Sequence, residues 1–237
     1  MVSQYGDGYC ATRGTRTERM QRKLALRICS AYRTVSLEAI QVLAGVIPLD
    51  PMADERAEIH HEALADRDEI RKQTIQRWQE RWDTLQGKAE WTRRLIPTIG
   101  KWTNRQHGEL NYWVTQFLTG HGCFRAYLHR FGRLEDGTCV YCAAPADTAE
   151  HTVFECPRWE ARRTMLQIRI EQRIGPDYVV KCMLVDPNNW DSITSFIAEI
   201  MRDKETEERQ RQQQIWCNNW KLTLAPKKCL AAVPVHW

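Results

Sequence analysis

Hydrophobic side chains recur at helical spacing along most of the chain, and no stretch shows the clear alternation of a β-strand. The first helical pattern runs from Thr15 to Tyr32, where an apolar residue stands at every fourth position: Met20, Leu24, Ile28 and Tyr32. Beside these positions lies a basic stripe, which consists of Arg16, Arg19, Lys23 and Arg27. The pattern predicts an amphipathic helix with one apolar and one positively charged face.

Capping residues mark the ends of the helices that follow. Ser36 can cap the apolar segment after it, and Gly45 is suited to end that segment in the left-handed conformation. Asp50 and Pro51 then begin a long helix that we expect to reach Gly87, because both residue types favour a first helical turn. Later helical patterns cover 90–97, 99–105, 110–118, 124–131, 157–174 and 190–214. The chain is therefore predicted to be mainly α.

Aromatic residues fall at the apolar positions of the later helices, and two roles are open to them. Phe124, Tyr127 and Phe131 fit the buried face of a helix, but rings beside arginines also form stacking platforms for unpaired bases. We interpret these rings as core residues.

Positive and negative charges are segregated along the chain, although the net charge is only +4. The segments 12–33 and 93–133 are rich in Arg and Lys and carry one acid each, whereas acids concentrate in 50–90 and 199–208. Such segregation is typical of proteins that bind nucleic acids, so RNA or DNA is the partner we expect. The alternative is that the arginine-rich helices only solvate a surface.

The distribution of apolar residues also indicates where the protein works. No stretch approaches the run of about eighteen apolar residues that spans a membrane, and the first residues lack the apolar run of a signal peptide. We therefore expect an intracellular protein, cytoplasmic or nuclear, without a membrane partner. In these compartments the nine cysteines are expected as reduced thiols or metal ligands rather than disulfides.

Three of these cysteines and one histidine are spaced as the ligands of a metal ion. Cys139 and Cys142 are separated by two residues, and His151 follows after eight more. Cys156 comes four residues after that. A C-x₂-C turn directs two sulfur atoms at one ion, and Asp147 is placed to cap a short helix that would carry the second ligand pair. Buried thiols without a metal are the alternative, but the spacing favours one zinc ion.

The expected zinc is structural. Three thiolates and one imidazole complete the tetrahedron around zinc and leave no position for a reactive water. A metal held in this way stabilises a module that is too small to have a core of its own.

Basic and aromatic side chains surround the predicted ligands and are candidates for contact with nucleic acid. The arginines would bind phosphates, and Tyr141 and Trp159 could stack on unpaired bases, although both rings could equally be buried against the zinc module. The basic residues of this set are Arg125, Arg130, Arg133, Arg158, Arg162 and Arg163.

Three stretches, taken in order, resemble the carboxy-terminal part of the Pol (ORF2) protein of non-LTR retrotransposons, which is a reverse transcriptase. They are ICSAYRTVSLEAIQVLAGVIPLD, FLTGHGCFRAYLHRFG and DTAEHTVFECPRW. The likeness is greatest to elements of insect genomes that carry an apurinic-type endonuclease, and it covers about Arg19 to Arg211. A CCHC motif alone is only moderately specific, whereas three such stretches in this order are highly specific.

The resemblance implies a CCHC zinc knuckle that is preceded by two helical segments, and the residue pattern adds two further segments after the knuckle. The knuckle ligands of the family match Cys139, Cys142, His151 and Cys156, and the eight-residue gap is that of the non-LTR type. The implied segments are thumb-like helices at 1–50, a helical linker at 51–132 and the knuckle at 133–160. The residue pattern adds C-terminal helices at 161–214 and a tail at 215–237 that we expect to be disordered.

The sequence departs from the family in its catalytic parts. Reverse transcriptases of this family hold Mg²⁺ with a pair of adjacent aspartates, but this sequence contains no Asp-Asp and no endonuclease. We therefore expect no catalytic residue and no enzymatic activity in this chain. The resemblance implies a nucleic-acid-binding region that positions template RNA or target DNA in target-primed reverse transcription, together with the rest of the Pol protein. The alternative is a zinc-stiffened helical module, from a truncated or domesticated element, that binds a protein.

Overall fold

The computed structural model describes the backbone of residues 7–61 and 66–223 and the side chains of residues 16–61 and 66–214. Within these residues the chain forms eleven α-helices, a π-helical turn (His151–Glu155) and a 3₁₀ turn (Pro157–Trp159), and it has no strand. The mainly α fold class is confirmed. The helices are α1 (Asp7–Ile28), α2 (Leu37–Ala44), α3 (Leu49–His61), α4 (Arg67–Thr84), α5 (Glu90–Leu95), α6 (Ile99–Thr103), α7 (Tyr112–Thr119), α8 (Arg125–Arg130), α9 (Glu160–Arg169), α10 (Val179–Met183) and α11 (Pro187–Thr223).

Local signals set the ends of α2 as predicted. Ser36 Oγ accepts a hydrogen bond from Ala39 N (3.2 Å), so the cap satisfies a backbone donor that the helix cannot. Gly45, with φ 66°, ends the helix in the left-handed region, where a side chain would be strained.

The predicted long helix from Asp50 to Gly87 is instead two helices. Asp66 has an extended backbone, and its carboxylate accepts hydrogen bonds from Asp68 N (3.0 Å) and Glu69 N (3.4 Å), so α4 begins there as a new helix. The residues between α3 and Asp66 lie outside the described part of the chain.

Helix α1 buries a different face from the one that its apolar spacing predicts. The buried residues are Gln21, Ala25 and Leu26 of the helix, and Cys29 directly after it. The apolar stripe, which we define as Met20, Leu24 and Ile28, is 59%, 59% and 63% exposed. Burial of Gln21 is tolerated because its Nε2 donates to Ile47 O (2.6 Å) and its Oε1 accepts from Gln41 Nε2 (2.7 Å). The helix therefore presents both an apolar and a basic stripe to solvent.

One cluster of buried side chains extends from Ala25 in α1 to Met201 in α11. Tryptophans lie in it or against it, and three of them donate their indole N–H to a backbone carbonyl. The bonds run from Trp82 to Ile96 O (2.8 Å), from Trp91 to Phe117 O (2.7 Å) and from Trp102 to Leu43 O (3.3 Å). The predicted division into five segments stays a prediction.

Helix α11 is the longest element, about 55 Å at 1.5 Å per residue. It packs against α7, α9 and α10 and continues past the predicted end at Gln214 to Thr223. The tail from Leu224 onward lies outside the described residues. No helix in the described ranges combines the length and the hydrophobicity that a membrane crossing requires.

Candidate metal centre and nucleic-acid interface

A tight turn brings the first two predicted ligands together. Ala143 N donates to Cys139 O (2.9 Å), and Cys139 N donates to Ala144 O (2.9 Å). Ala143 adopts φ 58°, the left-handed conformation that lets the chain reverse within a few residues. Cys142 lies inside this turn, so its thiol and that of Cys139 are neighbours.

The second ligand pair comes from the π-helical turn and the residue after it. Thr148 caps this turn, since its Oγ1 accepts from His151 N (3.1 Å) and its carbonyl accepts from Thr152 N (2.9 Å). The wider π spacing closes with a hydrogen bond from Cys156 N to His151 O (2.7 Å), which places Cys156 one wide turn after the histidine.

The four donor atoms have the arrangement that a tetrahedral metal needs. Cys139 Sγ lies 3.9 Å from Cys156 Sγ, and Cys142 Sγ lies 3.3 Å from His151 Nε2. All four atoms lie within 4.8 Å of one another. In a zinc site with Zn–S bonds of about 2.3 Å, two sulfur atoms are about 3.8 Å apart. His151 Nδ1 faces Glu155 Oε2 at 3.4 Å, and such a carboxylate orients an imidazole ligand. The cluster fits one zinc ion.

The Cys156 thiol favours the protonated state unless a cation is near. Burial raises the pKa of Cys156 to about 12, a hydrogen bond from Arg158 N opposes that change, and the neighbouring Cys139 adds to it. A bound divalent cation reverses this preference, because it stabilises thiolates directly. The chemistry of the donor set is thus that of a metal site.

Asp147 does not cap the ligand turn as predicted; it connects the metal centre to the rest of the fold. Its carboxylate accepts hydrogen bonds from Arg125 N (2.9 Å) and from Thr152 Oγ1 (2.9 Å). It also forms an ion pair with Lys204 of α11, and the two side chains are 1% and 2% exposed. Sequence reasoning missed Lys204, because it stands in a mixed-charge run that is typical of a solvated helix. The observation that could have identified Lys204 as buried is its position one helical turn after the buried Ile200.

Acidic side chains of α11 pair with three of the arginines that were candidates for phosphate contact. The pairs are Arg158 with Glu207 (3.2 Å), Arg162 with Asp203 (2.7 Å) and Arg125 with Glu208 (3.5 Å). A fourth candidate, Arg163, donates to the carbonyls of Val153 (3.1 Å) and Cys156 (3.2 Å). Arg158 and Arg163 therefore join the cluster to α11 and α9, whereas Arg162 joins α9 to α11 and Arg125 joins α8 to α11.

The two predicted stacking residues pack against each other. The ring centroids of Tyr141 and Trp159 lie 5.6 Å apart at an interplanar angle of 72°. Trp159 is 2% exposed, and the half-buried Tyr141 donates its hydroxyl to Glu207 Oε2 (2.6 Å). Of the two roles left open by the sequence, burial against the zinc module describes their positions in this structure.

The other predicted basic residues are exposed and have no acidic partner among the described residues. They are Arg16, Arg19, Lys23 and Arg27 of the basic stripe, together with Arg130 and Arg133. The stripe extends over about 16 Å of helix α1. Arg130 lies over the rings of Phe131 (5.3 Å) and Tyr127 (5.8 Å). Phe131 was expected in the core but is 45% exposed.

Comparison with known proteins places the chain among retrotransposon proteins. It is 26% identical over 206 residues to the Pol polyprotein of the type-1 retrotransposable element R1 2 of Nasonia vitripennis, covering 78% of this chain and 49% of that protein. It is 29% identical over 202 residues to the 115 kDa protein of the element R1DM of Drosophila melanogaster. That match covers 76% of this chain and 20% of the relative. The chain is homologous to part of the R1 Pol protein.

This chain is also 30% identical over 113 residues to a third R1 protein, the Pol polyprotein of Popillia japonica, and covers 44% of that protein. The chain therefore spans about half or less of the length of these R1 relatives. No protein-family model and no solved structure matches it. The resemblance inferred from the three sequence stretches is confirmed, and the chain is a retrotransposon-derived protein.

Proposed function

We propose that this chain is a non-catalytic, zinc-containing region of an R1-type Pol protein that binds nucleic acid. It positions template RNA or target DNA during target-primed reverse transcription, in the cytoplasm or nucleus and together with the rest of Pol. The basic stripe on α1 carries the proposal: four exposed cations follow one side of a helix without an acidic partner among the described residues. Such an array binds phosphates in succession and independently of base sequence.

The metal centre supports this function as a scaffold. Cys139, Cys142, His151 and Cys156 would hold one zinc ion, which supplies a cross-link and no reactive water, because all four positions are protein ligands. The chain also has no Asp-Asp pair for Mg²⁺, so we propose no polymerisation step within it.

Titration of the zinc-loaded protein with single-stranded RNA and with duplex DNA at several salt concentrations tests the proposal. Each phosphate contact releases counterions, so log affinity should fall with log salt by about 0.7 to 0.9 per contact. A protein that binds neither nucleic acid at low salt would overturn the proposal.

A helical protein-interaction module is the second candidate, and the exposed apolar stripe of α1 favours it. Met20, Leu24 and Ile28 form a contiguous apolar face at helical spacing. Binding through this face would depend little on salt, since an apolar contact releases no counterions. Salt dependence therefore separates the two candidates.

A further inference from the structure

A cavity of about 670 Å³ opens beside the C-terminal end of α1 and is lined by rings and cations. The rings are Tyr32, Tyr112, Tyr127 and Phe131, and the charged side chains are Arg33 and Arg133. No Asp or Glu is among the described residues that line it. Its volume falls within the roughly 300–1,000 Å³ of typical small-ligand sites. The lining therefore suits a ligand that is flat and negatively charged.

Hydrogen bonds hold three of the four rings in place. The hydroxyls of Tyr32 and Tyr112 are 2.8 Å apart, and that of Tyr127 lies 2.8 Å from Thr34 Oγ1. Phe131 packs on Tyr127 with ring centroids 4.8 Å apart, yet 45% of its surface remains exposed. Among the four rings of the lining, Phe131 is the one without a hydroxyl, and it is exposed to solvent.

The two inner phenols contribute no negative charge to the cavity. Burial raises the pKa of Tyr32, and its hydrogen bond with Tyr112 raises it further. Burial likewise raises the pKa of Tyr112. The charge of Glu205 also raises both pKa values, but its carboxylate is paired with Arg209. Both phenols are therefore neutral, and the arginines set the charge at the opening.

We propose that this cavity binds an unpaired nucleotide of a single-stranded nucleic acid, with the base stacked on Phe131 and the phosphates against Arg33 and Arg133. An exposed ring between cations is the combination that binds single strands, and a base within a duplex is not free to stack on it. Arg130, 5.3 Å from the Phe131 centroid, adds a further positive charge beside the stacking surface.

The basic stripe of α1 leads to this cavity. Helix α1 ends at Ile28, its last basic residue is Arg27, and the lining of the cavity begins at Ser30. A strand whose phosphates follow the stripe therefore reaches the cavity. This inference rests on the proposed function and assigns it a site.

Binding of a short single-stranded oligouridine by the zinc-loaded protein tests the site. Phe131→Ala should weaken binding between about 5-fold and 150-fold, as expected for one lost stacking contact, with the salt slope unchanged and duplex DNA unaffected. Phe131→Trp should restore affinity, whereas Phe131→Leu, which keeps the apolar bulk but has no ring, should not. Arg33→Gln and Arg133→Gln should each lower the salt slope.

Matched controls lie outside the cavity. Tyr178 is 46% exposed, so Tyr178→Ala removes a ring of equal exposure and should leave affinity unchanged. Arg173→Gln removes an exposed cation elsewhere on the surface. Oligouridine that carries 4-thiouridine should also cross-link under ultraviolet light to the peptide that contains Tyr127 and Phe131.

The outcomes separate the site from the proposed function. If Phe131→Ala or Phe131→Leu binds oligouridine as the wild type does while basic-stripe variants lose affinity, the cavity is not the site and the proposed function stands. If the wild type binds neither oligouridine nor duplex DNA at low salt, the proposed function fails and the site with it. Cross-links confined to other peptides would also overturn the site.

Discussion

Lys204 of α11 donates to the carboxylate of Asp147, and this ion pair is almost closed to solvent. The same carboxylate accepts hydrogen bonds from Arg125 N at the start of α8 and from Thr152 in the ligand turn. Three segments that are distant in sequence therefore meet at one buried charge. The metal centre is joined to the longest helix through this group.

Removal of one partner of this pair should be strongly destabilising. Lys204→Met leaves the carboxylate of Asp147 buried without its cation, which costs about 3–5 kcal/mol of unfolding free energy. The double variant with Asp147→Asn should recover part of this loss, because no unpaired charge remains. Urea denaturation of the zinc-loaded protein measures both. Lys72→Met, which breaks an exposed ion pair with Glu69, is the control and should change little. Equal effects of Lys204→Met and Lys72→Met would contradict the prediction.

One zinc ion per chain should copurify with the protein. Cys142→Ser removes a thiolate from the cluster, so the metal content measured by elemental analysis should fall well below one, and the unfolding temperature should fall with it. Cys182→Ser is the matched control, because that thiol is outside the cluster and serine keeps its hydrogen bond to Gln172. Full zinc content in Cys142→Ser would exclude this ligand set.

The basic stripe should act additively. Arg16→Gln, Arg19→Gln, Lys23→Gln and Arg27→Gln should each lower the slope of log affinity against log salt by about 0.7 to 0.9, because each removes one phosphate contact. The controls are Arg158→Gln and Arg162→Gln, whose side chains already pair with Glu207 and Asp203. These controls should leave the slope nearly unchanged. A slope that responds equally to both sets would show that the stripe is not the phosphate-binding surface.

Substitution of the two packed rings should alter folding before binding. Trp159→Ala should cost about 3–5 kcal/mol, because it leaves a cavity in the core. Trp159→Phe should be milder, since the indole Nε1 has no hydrogen-bond partner among the described residues. Tyr141→Phe loses the bond to Glu207, on the order of 1 kcal/mol. Thermal denaturation measures the stability of each variant, and titration with nucleic acid measures its affinity. Weaker binding at unchanged stability would instead indicate that the ring stacks on a base.

The purified chain should incorporate no nucleotides on a primed template with either Mg²⁺ or Mn²⁺. Nucleotide addition by polymerases uses metal ions that carboxylates hold, and the sequence has no Asp-Asp pair to hold them. An active reverse transcriptase assayed in parallel is the control. Template-dependent incorporation that persists through stringent purification would contradict the prediction.

Features that depend on residues close together in the chain could be predicted from the sequence. The cap at Ser36 and the end of α2 at Gly45 are examples, because each requires only a hydrogen bond or a backbone angle within a few residues. The cluster of Cys139, Cys142, His151 and Cys156 is another, since two short turns bring its four donor atoms within 4.8 Å of one another. The resemblance to non-LTR retrotransposon Pol proteins also came from such short stretches.

Burial and charge pairing were decided by the tertiary structure alone. The apolar spacing of α1 could not show that Gln21 is buried with Gln41 and Ile47 as its hydrogen-bond partners. Because that face is buried, the apolar stripe of Met20, Leu24 and Ile28 stays in solvent. The arginines beside the metal centre looked free, but Arg158 and Arg125 meet acids that lie 49 and 83 residues away along the chain. A side chain's partner depends on which distant surface packs against it, and periodicity within one helix carries no information about that surface.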